Sequence, residues 1–278
     1  MSGLLKADFR RVRKDKLLLI MGILAAGFAL IMPVLYYALF SAMEVPDDDM
    51  VANMVSGYMS GKTLFFGAFS SGNNFGLIAP VLLAIVLRKD FSYGTIRNKI
   101  ISGKSRSQIF LSLFTTCSVV LIGVMMLHAF ITLGISLILF DYQTTPFTTA
   151  DFWYFLESLG FEVLVLLFMS SLLSWLCTCM KNVGLVIVLY VAFMFFLVLA
   201  GSILQLVMSV MESIGGYEDT VSMLRFIDRI NIGSSVSYIG SGTSYSVKDV
   251  LYLTIPPIAG ILGFTGLSLL KFRKKDLK

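Results

Sequence analysis

The groups that could carry covalent chemistry are few and poorly placed for it. His128 is the only histidine, set among Met125, Met126, Leu127 and Phe130. A lone imidazole in such company is more often a hydrogen-bonded packing residue than a ligand. Cys117, Cys177 and Cys179 all fall inside apolar runs. Two thiols at Cys177 and Cys179, with no His or carboxylate nearby, make a poor metal site, and no disulfide framework is expected. Two runs approach the phosphate loop Gly-x-x-x-x-Gly-Lys-Ser/Thr, whose backbone amides wrap phosphates. Ser56–Thr63 has Ser in place of the first Gly, and Asn98–Ser105 has Asn there. Neither belongs to a βαβ unit, so the chain is expected to hydrolyse no ATP and to hold no cofactor or metal. Among carboxylates, Glu157 and Glu162 open an apolar run. An ionisable group in lipid is costly and points to function. Glu157 stands near the interface; Glu162 is the stronger candidate, able to pair with a cation, line a polar path or contact a cationic cargo.

The richest pattern is not catalytic. Arg88–Arg106 places six Lys or Arg among nineteen residues, against the single Asp90. Gly94-Thr95 breaks the chain, after which Ile96, Ile100 and Ile101 recur at helical spacing among Arg97, Asn98 and Lys99. A short amphipathic piece of this kind suits a membrane protein that must grip a soluble partner, and we read it as a docking element.

The elements that position it are membrane spans. The chain is 57% hydrophobic and 14% charged, with a mean hydropathy of +0.86, which excludes an ordinary soluble domain. About 20 apolar residues suffice to cross a bilayer core. Six runs qualify, roughly 17–40, 64–87, 108–140, 154–180, 183–210 and 250–270. The first is too long for a signal peptide, and no small-residue cleavage site follows before Glu44 and Pro46.

Charge sets the orientation. Residues 1–16, 88–107, 181–182 and 271–278 hold eighteen of the 22 Lys and Arg, leaving Lys62, Arg225, Arg229 and Lys248 opposite. By the positive-inside rule both termini are cytoplasmic. The net charge of +5 thus reports topology, and nucleic-acid binding is not inferred from it. Residues 4–16 are expected to form an interfacial helix, with Leu5, Phe9 and Val12 on one face and cations on the other. Lys181-Asn182 joins the fourth and fifth spans as an antiparallel hairpin. In the long outer segment 211–249, Met223, Leu224, Phe226, Ile227 and Ile230 suggest a short amphipathic helix at or dipping into the outer leaflet, ahead of a Ser/Gly-rich run. Pro33, Pro80 and Pro256-Pro257 fall within or at the start of spans, where proline kinks helices but is also tolerated.

Gly94-Thr-Ile-Arg-Asn-Lys99, then Ser102-Gly103 and Ser105-Arg106, resembles the first cytoplasmic loop of bacterial ABC-2 type permeases. Asp90 stands where that family more usually has Glu. The basic start, six spans, long last outer loop and basic tail from Lys271 extend the resemblance over the whole chain. The resemblance implies an all-α integral membrane protein, one permease domain over residues 1–278 of six transmembrane helices, with an N-terminal amphipathic elbow helix and a cytoplasmic coupling helix. It would reside in the bacterial cytoplasmic membrane. Two permease chains, identical or paralogous, would pair around a pathway, each resting on a separate ATP-binding subunit that carries ATP and Mg. Asp90, Gly94, Thr95, Ile96, Arg97, Asn98, Lys99, Ile100, Gly103 and Arg106 would meet that ATPase; Leu5, Phe9 and Val12 would belong to the elbow. The second and fifth spans would line the pathway, making Phe65, Phe66, Phe69, Asn73, Asn74, Phe193, Phe195 and Phe196, with Glu162, candidates for contact with apolar or amphipathic cargo. The same aromatics could equally face lipid or a neighbouring helix. Relatives of this short type are associated with export of antimicrobial or cytolytic peptides, which makes a peptide the expected cargo. A different reading, an ion-coupled secondary transporter, would have Glu162 or His128 carry protons without an ATPase. A membrane-embedded enzyme would need clustered carboxylates, a nucleophile–base pair or metal ligands, and the sequence offers none.

Overall fold

The computed structural model describes residues 2–42, 60–70, 78–92, 95–140, 147–241 and 244–274, and all regular structure among them is helical. Helix α1 (Ser2–Lys14) turns at Asp15 into α2 (Lys16–Ala42). The turn is held locally, because the Leu17 N–H donates to Asp15 Oδ1 at 3.0 Å. There follow α3 (Gly61–Gly67), α4 (Ile78–Ser92), α5 (Thr95–Ile101), α6 (Arg106–Leu139), α7 (Thr149–Cys179) and α8 (Val183–Ile214). The chain ends with α9 (Glu218–Ile230), the single turn α10 (Ile232–Ser235), a 3-10 turn at Val236–Tyr238 and α11 (Val247–Lys274).

Five of these are long and apolar enough to cross a bilayer: Lys16–Leu39 of α2, α6, α7, α8 and Val247–Arg273 of α11. The chain is a multi-pass, all-α membrane protein. Helices α6 and α7 form the interior, with 67% of the α7 span buried against 17% for α8 and for α11. The latter two therefore turn most of their apolar surface outward. The broadest helix pair is α7 with α11, followed by α2 with α6. Small residues permit the first: a Cβ on Gly260 of α11 would lie 2.5 Å from the Phe168 ring of α7.

The run 64–87 is not one continuous helix. Helix α3 starts under a Ser60 cap that accepts from the Thr63 N–H at 3.2 Å, and it ends at Gly67. The next described helix begins at Ile78. At 15 residues, α4 is about 22 Å long, short of the roughly 30 Å hydrocarbon core. Sequence explains the interruption. Ser70, Ser71, Gly72, Asn73 and Asn74 are poor helix formers. Pro80 lies in the first turn of α4, where its missing N–H breaks no intrahelical bond, so it marks a start rather than a kink.

The expected helix near Met223–Ile230 is present as α9, and it folds back along α8. Arg225 pairs with Glu212 at 2.6 Å, Gln205 Nε2 lies 3.4 Å from Asp228 Oδ2, and Asn231 Nδ2 donates to the Leu197 carbonyl at 2.7 Å. Leu197 is fourteen positions into α8, about 21 Å along it, so α10 reaches membrane depth. There it is buried in protein, the condition under which irregular backbone is tolerated at that depth. Ser234, Ser235, Val236 and Ile239 are all buried. Ser70 Oγ donates to the Val236 carbonyl at 3.0 Å, so the interruption after α3 and the tip of this re-entrant hairpin pack on each other.

Candidate functional site: the basic end of the bundle

Both ends of the described chain lie at one end of the bundle, α1 against α5 and α11 against α4 and α6. Arg106 Nη1 donates to the Arg273 carbonyl at 2.9 Å, and Phe272 is fully buried beside Phe91 and Phe110. Arg88 crowns α4 there, its Nε donating to the Lys181 carbonyl at 3.0 Å and its guanidinium lying over the Phe91 ring.

Helix α1 is fastened across this end by three ion pairs. Asp8 Oδ1 holds Lys99 Nζ of α5 at 2.5 Å, while Asp8 Oδ2 accepts from Ser112 Oγ of α6 at 2.6 Å. Arg11 pairs with Asp90 at the end of α4. Asp15 Oδ2 pairs with Lys89 at 2.8 Å. Asp8 and Arg11 are three positions apart on α1 and Asp15 is the turn residue that follows it, and their acid, base, acid order meets base, acid, base opposite. Asp8 and Asp90 are buried. Burial lowers the Lys99 and Arg11 pKa values despite the upward pull of Asp8 on both. Burial alone would raise the Asp15 pKa, but the Lys89 hydrogen bond, the Leu17 N–H and the nearby cations outweigh it and hold the carboxyl below its usual range.

The buried face of α1 is Leu4, Asp8 and Val12, with Leu5, Phe9 and Arg11 half-buried. Asp8 and Asp15 were invisible as partners in the sequence, where α1 reads as a cationic amphipathic helix. The available signal was their spacing with Leu4 and Val12; their partners lie 74 and more positions away.

The docking element forms as a helix. Ile96 is buried, Thr95, Lys99 and Ile100 are half-buried, and Arg97, Asn98 and Ile101 face outward, Ile101 at 74% exposure. Gly94 lies outside the described residues. At Gly103 the backbone takes φ +80°, a left-handed conformation that favours glycine. The Gly103 N–H donates to Ile100 and the Lys104 N–H to Lys99, which closes the last turn of α5. Ser105 and Gln108 then cap α6 reciprocally. The Gly-Lys-Ser run that resembles a phosphate loop is thus a helix stop followed by a helix start. The other one, Ser60-Gly-Lys-Thr63, opens α3, and its Lys62 pairs with Asp151 of α7 at 2.6 Å.

The pathway candidates are dispersed. Phe65, Phe66 and Phe69 are buried in an aromatic cluster with Tyr154 and Phe155 of α7, Phe66 and Tyr154 meeting edge-on at 4.8 Å. Phe193 packs edge-on against Phe264 of α11, whereas Phe195 and Phe196 are exposed on α8. The two groups share no ring contact among the described residues. Asn73 and Asn74 lie outside those residues. Glu162 is fully buried within α7, one turn beyond Ser158, which shares a 2.8 Å hydrogen bond with Tyr245. Glu157 is exposed. Cys117 and Cys177 are buried and in no disulfide, and no cluster of metal-ligating side chains occurs among the described residues.

The site is a helix with an exposed, mixed basic and apolar face, its Lys99 ion-paired to Asp8 of α1, which also accepts from Ser112 of α6. Neither the protein-family models nor the curated proteins contain a match to this chain.

Proposed function

We propose that the chain is the transmembrane subunit of an ABC exporter of the ABC-2 type. On this reading the basic end faces the cytoplasm with both termini. The interrupted run α3–α4 serves as the second of six crossings, and the protein resides in the bacterial cytoplasmic membrane. Arg97, Asn98 and Ile101 form the surface on which a separate ATP-binding subunit sits, and that subunit supplies ATP and Mg. Two permease chains and two ATPase subunits complete the assembly. The cargo is an amphipathic or hydrophobic peptide of the antimicrobial or cytolytic class.

One observation carries this reading: α5 shows a partner-competent face outward while Lys99, on its inner side, is ion-paired to Asp8 of α1. Force applied to α5 from outside reaches α1 through that contact and α6 through Ser112. The test is co-purification with the ATP-binding subunit. Arg97→Glu combined with Ile101→Asp is expected to abolish it while leaving the unfolding temperature of the isolated chain unchanged. Undiminished association would overturn the reading.

The full burial of Glu162 favours one other reading, an ion-coupled transporter in which Glu162 or His128 carries protons. It predicts uptake or efflux by the isolated chain under a proton gradient, without ATP. Transport that requires the ATPase subunit rejects it.

A further inference from the structure

Far from the basic end, α2, α3, α6 and the Gly240–Ser241 turn line an open cavity of about 440 Å³, within the range of small-molecule sites. Its walls include Pro33 of α2, Thr63, Leu64 and Ala68 from α3 and its C-terminal cap, and His128 and Thr132 of α6. His128 is 2% exposed and Thr132 4%. Four residues apart, they lie on the same face of α6. Among the described residues neither ring nitrogen of His128 nor the Thr132 hydroxyl has a hydrogen-bond partner. Buried polar groups are satisfied in the great majority of cases. Two neighbours that both lack a partner and line one cavity call for a ligand from outside the chain. The space far exceeds the roughly 30 Å³ share of a single water.

The lining also restricts the ligand. Among the described residues it contains no Lys, Arg, Asp or Glu, so a phosphate, carboxylate or ammonium would lose hydration there without an opposite charge. An uncharged imidazole offers one donor and one acceptor, and a hydroxyl offers both. That set complements a carboxamide. We propose that this cavity binds an uncharged amphipathic molecule, its apolar body against Pro33, Leu64 and Ala68 and its amide held by His128 and Thr132. The inference stands apart from the exporter reading, because it concerns the isolated chain and needs no ATPase.

The single histidine makes the test direct. The full chain, labelled with 15N-histidine and freed of any affinity tag, is placed in phosphatidylcholine nanodiscs, where only His128 gives ring signals. Dodecanamide and an N-acetylated leucine amide serve as alkyl and peptide-type probes, with dodecyltrimethylammonium as the charged control. A saturable ring-nitrogen shift from either amide, absent with the cation, is the expected result, and the tighter amide identifies the source. No saturable shift from either amide, or an equal shift from the cation, overturns the proposal. Ala68→Leu intrudes on the cavity and is expected to weaken the binding that the shift reports; unchanged affinity in a folded variant also overturns it. Thr132→Val conserves volume and is expected to weaken amide binding roughly three- to tenfold, and unchanged affinity would remove the amide contact.

Discussion

The Asp8 carboxylate holds the Lys99 ammonium at 2.5 Å across 91 positions of sequence. Its second oxygen accepts from Ser112, so α1, α5 and α6 share one buried junction. Burial opposes both charges and lowers the Lys99 pKa. Such a pair repays its desolvation only when both partners are present, and its use is often to fix one register. Here the register is that of α5 against α1.

Removing one partner therefore costs more than removing both. Asp8→Ala leaves Lys99 without its counter-charge and is expected to destabilise the chain by about 3 kcal/mol or more. Asp8→Leu with Lys99→Met is expected to restore stability to within about 1 kcal/mol of the parent. Thermal unfolding of the purified chain measures both. A strictly additive cycle would mean that the two residues do not interact energetically.

Acidification removes the contribution of the Asp15 ion pair. The native Asp15 pKa is held below the ordinary carboxylate value of 3.8 by Lys89, the Leu17 N–H and Arg11, against the opposing effect of burial. A depressed carboxyl adds stability that is fully present above the unfolded value and is lost as pH falls through the native one. Lowering the pH below about 4 should thus destabilise the parent more than Asp15→Asn, which has no such proton to gain. Parallel slopes of unfolding temperature against pH for the two proteins would show that the pair contributes nothing. Because Asp15 is partly exposed, the gap should also narrow in high salt.

The long apolar helices were legible because composition and run length suffice to mark them. So was the amphipathic character of α5, but not its orientation: Ile96, expected among the residues that meet a partner, is buried, and Ile101 faces outward. The stop of α3 at Gly67 is followed in the sequence by poor helix formers from Ser70 onward, but the apolar stretches on both sides hid that signal. The depth of the 231–241 hairpin was not legible. A Ser/Gly-rich segment reads the same in a solvated loop as in close backbone packing, and only the neighbouring Leu197 and Phe66 distinguish the two. Asp8 and Asp15 escaped notice for a related reason: an ion pair is a property of two distant positions, and α1 alone shows only one of each.

The hairpin supplies the last prediction. A Cβ on Gly233 would lie 2.5 Å from the Leu197 carbonyl carbon of α8, with backbone rather than a flexible side chain in its way. Gly240, at φ +75°, abuts the Phe66 carbonyl in the same manner. Gly233→Val must push the hairpin away from α8. Overpacking of this kind costs on the order of 1–3 kcal/mol, enough to raise local opening roughly tenfold or more. Ser235, buried in the parent, reports that opening as a cysteine in a chain whose three native cysteines are replaced. Its reaction with a water-soluble maleimide should be slow in the parent and about tenfold faster with Gly233→Val. Gly266→Ala, where an added Cβ meets nothing within 4 Å, should leave the rate unchanged. Equal rates in all three proteins would show that the hairpin is not held against Leu197, and its assignment to membrane depth would fall with that contact.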